Sequence, residues 1–204
     1  MSHTLLRKTE AGVLCVRQHL RRLGLLEDSA QRAELLERLD AATPGVWAVE
    51  LSADGVVLEP RPPSRLFDGI SLRACASPLA AGLGPIPKPH PLQSPYTELR
   101  RPGVVALLYG DDRELWESCS SSVLGFDGEQ LFAVPNSYSR VWSTAEWELV
   151  EALGLARRPI VPEQHALLLV NALGCVVPTQ PHPFPGYWRE RVEAVFSASV
   201  CLSI

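Results

Sequence analysis

The chain has 204 residues, a net charge of −4 and 46% hydrophobic content, enough for one large domain or two small ones sharing a core. It carries no basic stripe of the kind nucleic-acid binding requires, no apolar run near the roughly 20 residues that span a bilayer, and no signal-peptide core in its opening MSHTLLRKTEAG. A soluble cytoplasmic protein is expected. Its five cysteines (Cys15, Cys75, Cys119, Cys175 and Cys201) are scattered and form no CxxC pair, which favours reduced thiols over disulfides or a metal site.

Residues 4–7 and 12–16 read as two short strands around a turn. Residues 17–26 follow as a helix, with Val16, Leu20 and Leu23 along one face. Arg17, Arg21 and Arg22 cluster on that helix, by default a solvated face. Ser29 suits the N-cap of a helix over 30–42, where Leu35, Leu36 and Leu39 recur at helical spacing until Pro44-Gly45. The run VWAVELSADGVVLEP predicts a hairpin turning at Asp54-Gly55. Residues 59–65, EPRPPSR, are Pro-rich and read as a linker between a small N-terminal lobe, 1–65, and a larger C-terminal lobe, 66–204.

The second part opens with a strand over 70–76 and a loop rich in Gly and Pro, 82–95. Hairpins are predicted over 103–109 with 113–119 and over 121–126 with 130–134. A helix runs from Ser143 to about Leu153, a buried strand covers 166–171 before a turn at Gly174, and a last helix covers 188–196. Strands and helices mix without regular βαβ alternation, so the expected class is α+β.

Four places offer chemistry. The chain has seventeen arginines but two lysines, Lys8 and Lys88. Arginine cannot lose its proton to become a nucleophile, so a retained lysine is a candidate amine. Lys88 sits among prolines that restrict the backbone, and a lysine shielded from water can form a Schiff base. Glu117 stands near the end of a predicted strand, between Trp116 and a serine run. Ser143-Thr144-Ala145-Glu146 has the form of a capping box, S/T-x-x-E, and a helix start also favours an anion. The turn Asn171-Ala172-Leu173-Gly174 could offer a second set of N–H groups, while His19, at i, i+3 to Arg22, reads as a structural partner.

Taken in order, these residues resemble the class IV aminotransferases, whose early helix has the form R-L-x-x-H-L-x-R-L. Here Val16-Arg17-Gln18-His19-Leu20-Arg21-Arg22-Leu23 matches at His19, Leu20, Arg22 and Leu23. The resemblance continues through a loop lysine and a following tyrosine, Lys88 and Tyr96. It then takes in a hairpin ending in a glutamate, Glu117, a helix start at Ser143-Thr144, and the turn Asn171 to Pro178. It implies the two-lobed fold-type IV architecture of the D-amino acid aminotransferases, with pyridoxal 5'-phosphate (PLP) in the cleft and a homodimeric assembly. Lys88 would carry PLP and Glu117 would pair with its ring nitrogen. Arg22, Ser143, Thr144, Ala172 and Leu173 would bind its phosphate.

The chain departs from the pattern where Pro89 follows the lysine, where the L-P-G-I-T-R signature is reduced to Arg140-Val141-Trp142-Ser143-Thr144 with its glycine gone, and where Ala172 replaces a hydroxyl residue. Short members of the family resemble 4-amino-4-deoxychorismate lyase, which releases pyruvate and leaves 4-aminobenzoate for folate biosynthesis. The alternatives are an aminotransferase of branched-chain or D-amino acids, and a non-catalytic dimeric relative that has lost PLP. In each case the partner is a small molecule or a second copy of the chain, not a membrane or a nucleic acid.

Overall fold

The computed structural model describes residues 2–27, 29–62, 68–86, 94–111 and 113–198. The N-terminal part forms an antiparallel sheet in the order β2-β1-β3-β4, from β1 (Ser2–Thr9), β2 (Gly12–Val13), β3 (Gly45–Ser52) and β4 (Gly55–Arg61). Two helices, α1 (Val16–Leu23) and α2 (Ala30–Ala41), complete it. Leu6, Val49, Leu51 and Val56 of the sheet pack with Leu20, Leu23, Leu35 and Leu39 of the helices in one apolar cluster.

Three local differences from the sequence reading have physical causes. Helix α1 stops at Leu23 rather than 26 because Gly24 adopts φ +75°, its N–H returning to Arg21 and that of Leu25 to Leu20. The β3–β4 hairpin turns one residue early. Ser52 pairs with Gly55, so Ala53-Asp54 form the loop, and Gly55 opens β4 at φ +123°, which glycine tolerates. Of the expected linker, Glu59, Pro60 and Arg61 are strand residues paired with Ala48, Trp47 and Val46, and residues 63–67 lie outside the described residues. Pro60 is accommodated there because β4 ends the sheet order.

Among the described residues, the rest of the chain forms three further sheets. Parallel β5 (Ser71–Ala76) and β7 (Val104–Tyr109) join β8 (Leu115–Ser118), antiparallel to β7. Two-residue β6 (Pro85–Ile86) pairs in parallel with β11 (Arg140–Val141). The largest sheet has the order β12-β10-β9-β13-β14, from β9 (Ser122–Phe126), β10 (Leu131–Ala133), β12 (Ala156–Arg157), β13 (Ala166–Asn171) and β14 (Gly174–Val176). Helix α3 (Thr144–Leu153) and helix α4 (Gly186–Ala198) lie on one face of it.

The continuous apolar run of β13 is explained by burial on both faces. Ala166, Leu168 and Val170 join the cluster under α3 and α4, while Leu167 and Leu169 point into a second cluster with Val105, Leu107 and Leu115. No helix among the described residues is long and apolar enough to cross a membrane.

Candidate functional site

Glu117 is 4% exposed, next to the end of β8. Both of its hydrogen bonds among the described residues fall on Oε1: the Tyr96 hydroxyl donates one, and the Val141 N–H donates the other at 3.0 Å. Burial pushes its carboxyl up to about 8, against the pull of those two donors and of Arg140. The Tyr96 hydroxyl is pushed far above the usual phenol range, by burial first and then by the Glu117 charge. It therefore acts as a donor, never as a phenolate.

Immediately after Val141, the Trp142 carbonyl accepts a hydrogen bond from Arg22 Nη2, and Ser143 caps α3 by accepting from the Glu146 N–H at 3.3 Å. Three consecutive residues thus connect Glu117, Arg22 and a helix N-terminus. Arg22 also donates to Thr4 Oγ1 at 3.5 Å, and that hydroxyl lies 2.7 Å from His19 Nδ1. No carboxylate pairs with Arg22 among the described residues, and burial pulls its guanidinium down to about 10. A partly desolvated guanidinium without a counter-ion, beside first-turn N–H groups that a helix cannot satisfy itself, favours an anion.

The capping box is half formed. Ser143 does its part, but Glu146 reaches not to the Ser143 N–H but to Arg140, at 2.6 and 2.7 Å, and to Arg157, at 2.7 Å. This buried ion cluster was not foreseen from the sequence. The available signal was an arginine and a glutamate bracketing a predicted helix start, which reads equally well as two surface charges.

The 171–174 turn lies at another edge. The Leu173 N–H donates to Asn171 Oδ1 at 2.9 Å, the Leu173 carbonyl accepts from Arg7 at 2.9 Å, and Asn171 Nδ2 donates to Ser121 Oγ at 3.2 Å. An anion on the Leu173 N–H would have to displace the first of these. Ala172 and Leu173 are half-buried and offer no side-chain donor.

Lys88 lies outside the described residues. The chain on both sides of it is described. Ile86 accepts from the Trp142 N–H at 2.8 Å, and Tyr96 binds Glu117. Ile86 and Tyr96, described residues on either side of Lys88 in sequence, thus each bond to a member of the polar group. The other lysine is engaged elsewhere, since Lys8 Nζ donates to the carbonyls of Leu39 and Asp40 at the end of α2, at 2.5 and 2.7 Å.

No protein-family model and no curated protein sequence matches the chain. Solved structures do. A hypothetical aminotransferase from Mycobacterium tuberculosis in its PLP-bound form superposes with a TM-score of 0.70 at 17% identity, over 98% of this chain and 88% of that one. The 4-amino-4-deoxychorismate lyase from Pseudomonas aeruginosa superposes at 0.63 and 20% identity, over 95% and 88%. The chain has the class IV aminotransferase fold. The same Mycobacterium tuberculosis protein, bound to α-ketoglutarate and PMP, matches at 0.67 and 18% identity, over 98% and 88%. The class IV fold agrees with the mixed α and β content and with the several sheets described above.

Proposed function

We propose that the protein is a PLP-dependent class IV enzyme in which Lys88 carries the cofactor, and that it cleaves 4-amino-4-deoxychorismate to 4-aminobenzoate and pyruvate in folate biosynthesis. The observation that supports this reading is that Ile86 and Tyr96, which bracket Lys88 in sequence, bond to Trp142 and Glu117, while Lys8 is occupied at α2. The residues fit PLP. Arg22 and the N–H groups of Thr144 and Ala145 suit a phosphate, and buried Glu117 suits a ring nitrogen.

Bound PLP supplies an electron sink. The protein's own residues do the rest. Tyr96 and Val141 fix Glu117 Oε1, leaving Oε2 to hold a proton for the ring nitrogen. Arg22, Ser143 and Thr144 would hold the phosphate, with Ala172 and Leu173 as a weaker third contact. Lys88, as a free amine, moves a proton at the substrate carbon. We take the protein to be a cytoplasmic homodimer with lobes over 1–65 and 66–204, as in the family it resembles.

A second reading is aminotransfer on branched-chain or D-amino acids, favoured by the likeness to an aminotransferase structure holding α-ketoglutarate and PMP. Incubation with 4-amino-4-deoxychorismate tests the first reading through release of pyruvate and 4-aminobenzoate. Incubation with an amino acid and 2-oxoglutarate tests the second through glutamate. Absence of a visible PLP absorbance at saturating cofactor would remove both, leaving the non-catalytic relative.

A further inference from the structure

Arg140 and Glu146 are both fully buried, and they meet in a bidentate pair at 2.6 and 2.7 Å. Arg157 adds a second guanidinium at 2.7 Å and anchors itself on the Val134 carbonyl at 2.9 Å, with its charge 5.3 Å from the Trp147 ring centre. Three short charge-assisted hydrogen bonds on one buried carboxylate hold these side chains in a narrow range of positions.

That position is where the site is assembled. The Arg140 backbone is the first residue of β11, with its N–H on the Gly84 carbonyl at 3.4 Å. The next N–H, of Val141, binds Glu117, and the next carbonyl, of Trp142, binds Arg22. Glu146 lies in the first turn of α3, so one ion pair ties the strand before the site to the helix after it. The ionisable groups facing Glu117 among the described residues are Tyr96 from the turn before β7, Arg140 from β11 and Glu146 from α3. Arg140 favours the ionised carboxylate, and Glu146 opposes it.

We propose that Arg140, held by Glu146 and Arg157, is a positioning residue for Glu117: it fixes β11 so that the Val141 N–H meets Glu117 Oε1. Its bearing on catalysis rests on the reading of Glu117 as the partner of the PLP ring nitrogen. The test is therefore made without cofactor, so that the two ideas fail separately.

Carbon-13 NMR of protein labelled at the glutamate carboxyl carbons follows Glu117, identified by the signal lost in Glu117→Gln. Arg140→Met removes the favourable charge and raises the proton affinity of Glu117 about tenfold. Arg140→Lys keeps the charge, loses the planar fork, and falls between wild type and Arg140→Met. In Glu146→Gln the loss of the opposing charge and the loosening of the Val141 contact act on that affinity in opposite directions, so this variant is read at the Val141 amide proton instead, which should move upfield as its hydrogen bond to Glu117 weakens. A structural role with no bearing on Glu117 would leave that amide where it is in wild type. If Arg140→Met does not fold, Arg140→Lys and Glu146→Gln still decide by direction. Titration of Glu117 within about twofold of wild type in the Arg140 variants that fold, or an unchanged Val141 amide in Glu146→Gln, would overturn the proposal.

Discussion

The Glu117 end of the site and the 171–174 turn differ in what their polar groups are doing. Glu117 is buried, receives two donors on a single oxygen, and is held by a strand that a buried ion cluster fixes in place. The 171–174 turn is half-buried, its Leu173 N–H is closed onto Asn171, and alanine stands where a hydroxyl would help an anion. Arg22 and α3 lie between these extremes. The contrast teaches that the polar groups are most rigidly organised where a cofactor ring would sit, and least available where the last phosphate contact would be.

Four substitutions break or sharpen that contrast. The largest effect is expected from Glu117→Gln, which should lower turnover at least about 100-fold, the scale of losing one preorganised electrostatic contact. The same variant carries a stability signature. Because the folded protein holds the Glu117 proton up to about pH 8, well above an exposed glutamate, wild type should lose stability as pH rises from about 5 to beyond 8. Glu117→Gln should lack that loss, and denaturant titrations at the two ends of the range would show it. Next comes Arg22→Met, for which PLP affinity measured by absorbance should fall about 10- to 100-fold, as expected for a lost charge-assisted hydrogen bond.

Smaller effects follow. Ser143→Ala removes the α3 cap and should cost about 1 kcal/mol, visible as a lower Tm in cofactor-free protein. Ala172→Ser should tighten PLP binding by about three- to tenfold at most, one ordinary hydrogen bond. A gain larger than the loss in Arg22→Met would invert the ranking of the two phosphate contacts.

Much of the fold was legible because its signals are local. The apolar spacing of α1 and α2, the Ser29 and Ser143 caps and the unbroken apolar β13 each read directly as structure. The expected ends failed where one glycine decided them, at Gly24 and Gly55, because spacing says nothing of which residue takes a positive φ. The two-residue β6–β11 pairing could not be read at all, since so short a parallel contact leaves no periodicity. Candidate residues such as Arg22, Glu117 and Ser143 were identified by their order along the chain, but their contacts were not. Tyr96 was singled out, yet its bond to Glu117 spans 21 positions. Arg140, Glu146 and Arg157 were missed as a group because charged residues are usually exposed, and only packing shows that these are not.

The central claim is that Lys88 carries the cofactor, and the chain offers an unusually clean test because it contains two lysines. Protein incubated with PLP is reduced with borohydride to make any lysine linkage permanent, then digested and mapped by mass spectrometry. The account predicts the added mass on the peptide containing Lys88 and none on the peptide containing Lys8, whose amine is held at the end of α2. Modification of Lys8 alone, or of neither lysine at saturating PLP, would contradict it.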